Sequence, residues 1–436
     1  MGSAVMADAA RGGSPLPGHA RGLGAWGGAV RGGAFHLFAF CLTGRGGRPF
    51  SLSMTPPRLL EILPPQESFS PDAAGAIALM VARLFARPGR FAPEVAGFPT
   101  TNPFPETTFL PIRPALRPLP RALRYAIGAG RWIRSRAPAL IEVHNRPDIA
   151  LFLARRHPGL PVALYLQNDP RAMRGAREPA ERARLLARLA GIGVASPFLA
   201  RCFTEGLDAA RGRSRGGDLA AKIGIIPNCI DPAALPPPAP EREPLILYAG
   251  RVVADKGVDG FIAACAAVLP ALPGWRAEII GADRFGPESP RTPFLARMEA
   301  EAQRAGVVMR GYQPHAAVLQ AMARAAIAVM PSRWEEPFGL VAIEAMASGA
   351  ALITTRRGAL PDIAGEAALY ADPDEPATIA EAIRALALDA PRRAELAARG
   401  RARVQAYTVA AVLPQLEAFR AHMLETGMRE RSAGGG

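Results

Sequence analysis

Short apolar runs recur along the chain at the spacing of strands that alternate with helices. The recurrence is broken once, by the proline-dense stretch "DPAALPPPAPEREP" at 231–244. Before the break come "RLLEIL" (58–63), "ALIEVH" (139–144), "PVALYLQ" (161–167) and "IGVAS" (192–196). After it come "LILYAG" (245–250), "WRAEIIG" (275–281), "GVVMRG" (306–311), "AIAVMPS" (326–332), "AALITT" (350–355) and "AALYAD" (367–372). Near-continuous apolar strands separated by helical stretches such as "AIALMVARLFA" (76–86) call for parallel sheets with both faces covered. Proline cannot donate to a sheet ladder, so the dense stretch reads as a hinge. The expected fold class is α/β, with two Rossmann-like domains facing a cleft. The N-terminal domain is expected over 54–230, the hinge over 231–244 and the C-terminal domain over 245–408. A closing helix over 409–425 and a loose tail over 426–436 follow. Sites in such pairs lie at the carboxyl ends of the strands.

Residues 1–53 are rich in Gly and Arg and show no sustained periodicity. They read as a disordered extension, or as lying upstream of a start at Met54. The apolar run at Gly33–Gly44 is shorter than the roughly 18 residues a membrane span needs, and its flanks do not suit a signal peptide. Cys41, Cys202, Cys229 and Cys265 are scattered, and no pair has metal-ligand spacing. They read as reduced cytosolic thiols. The six histidines form no HxH or HxxxH group, so no metal is expected.

The net charge of +14 is uneven: +4 over 1–53, +11 over 54–240 and −1 over 241–436. The N-terminal half is therefore expected to meet something anionic, such as a membrane surface or a phosphorylated acceptor. A GC-rich coding bias gives the same composition, because 50 of the 52 basic residues are Arg. Charge without aromatic interleaving or a known module does not make a nucleic-acid binder. No G-x-G-x-x-G follows either opening strand, which argues against a dinucleotide oxidoreductase.

Two stretches carry the chemistry. In "SRWEEPFGLVAIEAMASGAALITT" (332–355) a strand ends, a loop holds Glu336 and a helix starts near Gly339. The free N–H groups of Gly339, Leu340 and Val341 suit an anion at the helix start. Glu336 would be repelled by that anion and suits neutral hydroxyls beside it. Glu344 lies inside an apolar helix, where a carboxylate needs donors, and suits a second pair of hydroxyls. A nucleotide sugar offers all three groups. The plainer alternative is a capped helix with a buried glutamate. In "YAGRVVADKGVDGF" (248–261), Arg251 and Lys256 sit at a strand end and suit a diphosphate. Lys256 is one of two lysines in the chain, so coding bias did not place it by default.

"GRVVADKGVD", "PSRWEEPFGLVAIEAMASGAALITT" and "GALPDIAG" resemble the retaining glycosyltransferases of family 4 (glycosyl transferases group 1), which have the GT-B fold. The spacing of Glu336 and Glu344 is that family's E-x7-E signature. The resemblance is dense over 245–375 and fainter over 58–230, in the Gly75 loop, "IEVHNRPD", "VASPFLARCF" and "IPNCID". It implies a nucleotide-diphosphate sugar donor held mainly by the second domain, with no further cofactor. Arg251 and Lys256 would hold the diphosphate near Phe338 and the helix start, and Glu336 the donor sugar. Glu344 would hold the ribose, and Gly75 would pack near the diphosphate or acceptor. Two positions depart from the pattern. Gln167 stands where relatives often have histidine, and Cys229 where they often have glycine. Glutamine can orient a sugar but carries no proton.

His144 and Asn168 are the acceptor candidates. His144 also reads as an ordinary strand-end histidine satisfied by hydrogen bonds. The segment 113–138 holds Arg121, Arg124, Arg131, Arg134 and Arg136, with Tyr125 and Trp132 as anchors for anionic lipid. It reads equally as an amphipathic helix packed on the sheet. The expected function is transfer of a sugar to a glycan or glycolipid in the cytoplasm, on the inner face of the membrane, in envelope polysaccharide synthesis. The alternatives are a catalytically silent GT-B protein that binds a sugar nucleotide or glycan, and a GT-B nucleotide-sugar epimerase.

Overall fold

The computed structural model describes residues 55–115, 118–208, 219–237, 241–284, 286 and 288–433. The extension expected over 1–53 lies outside these residues, as does part of the proline-rich hinge.

The first lobe is a seven-stranded sheet. Its strands are β1 (Arg58–Ile62), β2 (Ala92–Gly97), β3 (Thr108–Pro111), β4 (Leu140–His144), β5 (Val162–Leu166), β6 (Gly191–Val194) and β7 (Ile223–Ile225). The order is β3-β2-β1-β4-β5-β6-β7, all parallel. Helices α1 (Ala76–Phe85), α2 (Arg121–Arg136), α3 (Pro147–Arg156), α4 (Pro179–Arg188) and α5 (Pro197–Thr204) form the crossovers. The strand order reverses between β1 and β4, which opens a crevice at their carboxyl ends.

The second lobe repeats the plan. Its strands are β8 (Glu243–Ala249), β9 (Arg276–Ile280), β10 (Val307–Met309), β11 (Ala325–Met330), β12 (Ala351–Thr354) and β13 (Ala368–Tyr370), in the parallel order β10-β9-β8-β11-β12-β13. Its helices are α6 (Val258–Val268), α7 (Pro293–Arg304), α8 (His315–Arg324), α9 (Leu340–Ala347), α10 (Leu360–Ala364), α11 (Pro376–Leu388) and α12 (Ala390–Arg403). The crevice here lies between β8 and β11.

The strands are apolar because both faces are covered: every residue of β4 and β5 is buried. β2, β3 and β7 were not visible as strands in the sequence. β2 starts "AP", and β3 and β7 have only four and three residues. The end of the second lobe is two helices, α11 and α12, divided where Asp389 caps the Arg392 N–H.

The closing helix, α13 (Val409–Ala433), runs past the expected boundary at 425 and takes up most of the expected loose tail. It returns to the first lobe, where Val412, Leu416 and Met423 join the core of Leu59, Val95 and Leu140. Arg420 pins it there, donating to Glu61 on β1 and Glu142 on β4 at 2.6–2.9 Å.

Candidate functional site

β11 delivers the loop Pro331–Gly339 to the carboxyl edge of the second sheet, and α9 leaves from it. Gly339 has φ 94°, and a Cβ there would press on Leu360. Only glycine makes that entry at low cost. The N–H groups of Leu340 and Val341 come before any acceptor within the helix.

The loop is bolted to the turn after β8. Asp255 O accepts from Arg333 N and Trp334 N, both at 2.9 Å. Gly257 turns the chain into α6 with φ 68°, and Pro331 O fills the place of a Cβ. The two motifs read separately in the sequence are thus one rigid edge. Lys256 Nζ donates to Glu336 Oε1 at 2.5 Å, and Ser332 Oγ donates to the same oxygen at 2.7 Å. Glu336 is buried, so Lys256 neutralises it in place. Arg251 is half-buried, and its guanidinium has no hydrogen-bond or ion-pair partner among the described residues. Its carbonyl accepts from Tyr248 Oη at 2.7 Å, which fixes the backbone that carries it. The edge therefore presents one pre-paired cation and one open one.

The sequence required donors for Glu344, and the structure supplies two that sequence reasoning missed. Arg83 Nη2, from α1 of the first lobe, donates to Glu344 Oε1 at 2.9 Å. His315 Nε2, at the start of α8, lies 2.9 Å from the same oxygen. Burial pushes the Glu344 carboxyl up, but the interactions with His315 and the Arg83 guanidinium outweigh it. The net shift is below the ordinary carboxylate value. The signal for these donors was the buried charge alone. A contact 261 residues away has no local signature.

Other expected residues fall differently. Phe338 is a core residue, edge-on to Tyr407 with ring centroids 5.7 Å apart, and does not offer its side chain to a ligand. Gly75 is the N-cap of α1, but that helix start is already taken. Glu67 Oε1 accepts the Ala78 N–H at 3.1 Å, and a Cβ on Gly75 would strike the Glu67 carboxylate. An anion at Gly75 would face this carboxylate.

His144 is buried, with Nε2 2.6 Å from Glu61 Oε2 and its ring stacked on Tyr165. It belongs to the polar cluster under α13: the ring is buried, Nε2 is paired with Glu61 and Nδ1 has no partner, so the structure makes it neither an exposed acceptor contact nor a fully satisfied histidine. Desolvation pushes it down to about 4.

Gln167 is buried at the end of β5, its N–H held by Asn145 Oδ1 at 2.7 Å. Asn145 sits at φ 50°, a left-handed position that asparagine tolerates. The Gln167 Oε1 has no partner. Asn168, next along, is exposed. In α2, Tyr125 Oη donates to Leu63 O and Trp132 Nε1 to Pro111 O. The polar ends of both expected lipid anchors are therefore spent on the lobe's own backbone, and the solvent face of α2 carries arginines together with the exposed Ile127.

The two sheets, the reversed strand orders and the cleft between the lobes define the GT-B fold. Residues 236–403, the segment with Arg251, Lys256, Glu336 and Glu344, match the family model described as glycosyl transferases group 1. The glycogen synthase of Mycobacterium tuberculosis is 36% identical over 186 residues, which covers 41% of this chain and 43% of the relative. The lipopolysaccharide core biosynthesis mannosyltransferase LpsB of Rhizobium meliloti is 31% identical over 160 residues, covering 35% and 44%. The match thus spans less than half the length of either relative, and both are glycosyltransferases. Anabaena Alr3699/HepE, solved in complex with UDP and glucose, aligns with a TM-score of 0.65 at 17% identity, over 84% of this chain and 99% of that one. At that identity the likeness concerns the fold.

Proposed function

We propose that this protein is a retaining glycosyltransferase that moves a hexose from a nucleotide-diphosphate donor to a glycan or glycolipid. One observation carries the reading: the structure joins Arg251, Lys256, Glu336 and the start of α9 into one edge, with Glu344 deeper on the same helix. A diphosphate fits the open cation and the free N–H groups. Sugar hydroxyls fit Glu336, and the ribose diol fits Glu344.

In the reaction, the bond from the anomeric carbon to the diphosphate oxygen breaks. The acceptor oxygen bonds to that carbon from the same face, and its proton passes to the departing diphosphate. Gln167 and Asn168 face this step as orienting groups, since neither carries a proton. The reading needs no metal, because Arg251 and the free N–H groups at the start of α9 meet the diphosphate charge. It places the enzyme in the cytoplasm, in envelope polysaccharide synthesis, with its basic first lobe toward an anionic membrane surface. Among the described residues no helix is long and apolar enough to cross a membrane.

A silent sugar-nucleotide binder is the second reading, favoured by Gln167, which carries no proton and whose Oε1 has no partner. Incubation with radiolabelled sugar nucleotides, with and without a lipid extract, separates the two. Label appearing in lipid or glycan supports transfer. Binding without consumption supports the silent protein. No binding of any sugar nucleotide overturns both.

A further inference from the structure

The lobes touch through several side-chain bonds. Ser196 Oγ donates to Pro337 O at 2.6 Å, Tyr312 Oη to Asp72 O at 3.2 Å, and Arg201 pairs with Asp362 at 2.9 Å. Arg83 differs from these because it ends on a carboxylate of the donor site. Its Nη1 donates to Cys229 O at 2.7 Å, while Nη2 reaches Glu344 Oε1. The guanidinium thereby links α1, the loop after β7 and α9. Glu344 is 3% exposed, and both of its donors fall on Oε1. Its Oε2 accepts no hydrogen bond among the described residues. A carboxylate held by two donors at one oxygen cannot turn, so the other oxygen keeps one direction.

We propose that Arg83 is a positioning residue for nucleoside recognition: it fixes Glu344 Oε1 from the opposite lobe and so leaves Oε2 to accept from the ribose hydroxyls. The inference rests on the donor reading above and adds a residue from the lobe that holds no other donor contact. It has a consequence for specificity. The ribose is read correctly only while α1 lies against α9, so a ligand that engages Glu344 selects the closed lobes. Lysine cannot replace the function in full, since a single ammonium does not reach Cys229 O and Glu344 with the geometry of a planar fork.

The test uses the full chain and two kinds of probe. Uridine, guanosine and adenosine diphosphates are titrated by calorimetry against wild type. The tightest is then compared with its 2′,3′-dideoxy analogue in wild type, Arg83→Gln and Arg83→Lys. Wild type is expected to prefer the ribose form by about tenfold or more, as for one charge-assisted hydrogen bond. Arg83→Gln should lose that preference with dideoxy affinity unchanged, and Arg83→Lys should keep part of it. Should Arg83→Gln strand the buried carboxylate and unfold, the double variant Arg83→Gln/Glu344→Gln removes the charge and should likewise show no preference. A full ribose preference in folded Arg83→Gln overturns the inference and leaves the donor reading standing. Absence of binding by all three diphosphates to wild type overturns the donor reading, and the inference with it.

Discussion

At the scale of single residues, the two cations and the two carboxylates of the edge have different surroundings and should fail differently. Arg251 has no partner to strand, so Arg251→Ala should cost donor affinity alone, by about ten- to a hundredfold, with thermal stability unchanged. Lys256 neutralises buried Glu336, so Lys256→Ala should lower both affinity and kcat, and also lower Tm. Calorimetry and melting of the two variants check this, and equal melting temperatures would count against the pairing. Glu336→Gln keeps shape and loses the charge that the proposed reading sets beside the donor sugar. Its kcat should fall far more than its donor affinity. On the proposed donor reading Glu344 holds the ribose, which does not change in the reaction, so Glu344→Gln should raise KM with a smaller loss of kcat. Wild-type kinetics in both glutamate variants would reduce the site to a capped helix. Glu344 and Lys256 were legible because each broke a local rule, a charge in an apolar helix and a rare lysine among arginines, while Arg251 and Glu336 were legible from their places at a strand end and before a helix start. Arg83 and His315 were not, because an arginine on α1 and a histidine at a helix start break none. His144 was open to two readings in the sequence, because its partner Glu61 on the neighbouring strand cannot be seen along one strand.

At the scale of elements, α13 is held by charge as much as by packing. One guanidinium, Arg420, faces Glu61 on β1 and Glu142 on β4, with His144 on β4, Tyr165 on β5 and, further off, Glu67 around them. Two carboxylates share one cation, so the folded protein keeps a proton on the pair. Burial pushes Glu142 up to about 8, against the pull of Arg420 and with the help of Glu61. The sign follows from counting protons. Between the unfolded carboxylate value of about 4.5 and about 8, the native state holds one proton that the unfolded chain has released, so stability falls as pH rises. His144, pushed down to about 4 by desolvation, works the other way: between about 4 and 6.5 the unfolded chain holds the extra proton. The two slopes oppose each other below pH 6.5, and only the loss is left above it. Stability should therefore fall most clearly above pH 6.5, where only the loss is left and Glu61, also raised by burial, acts in the same direction. Glu142→Gln, which mimics the protonated form, should flatten the alkaline fall in a series of melts. An unchanged fall in that variant would place the proton elsewhere. The sequence showed α13 as a helix but not this clasp, because Glu61 and Glu142 on apolar strands gain meaning only once β1 and β4 are neighbours.

At the scale of the whole molecule, what needs an account is the +11 carried by residues 54–240. The structure narrows where that charge can act. Of the arginines in α2, Arg124 is spent on Ala115 O and Arg136 pairs with Glu94. Arg121, Arg131 and Arg134 are exposed with no ion-pair partner among the described residues, and Arg155 and Arg156 of α3 are exposed as well. With Tyr125 buried and the Trp132 indole N–H bonded to Pro111 O, membrane contact by this face is expected to be mainly electrostatic adsorption. Each arginine near an anionic bilayer contributes about 1 kcal/mol, and the attraction decays over about 8–10 Å in ordinary salt. Sedimentation with vesicles containing phosphatidylglycerol should therefore show binding that falls steeply with salt. The triple variant Arg121→Gln/Arg131→Gln/Arg134→Gln should weaken it by about a hundredfold, and tryptophan fluorescence should not shift on binding. A glycolipid acceptor would then meet the cleft by diffusion along the surface rather than through the bulk. Equal retention on phosphatidylcholine and phosphatidylglycerol vesicles would instead make coding bias the source of the charge and leave the acceptor a soluble glycan.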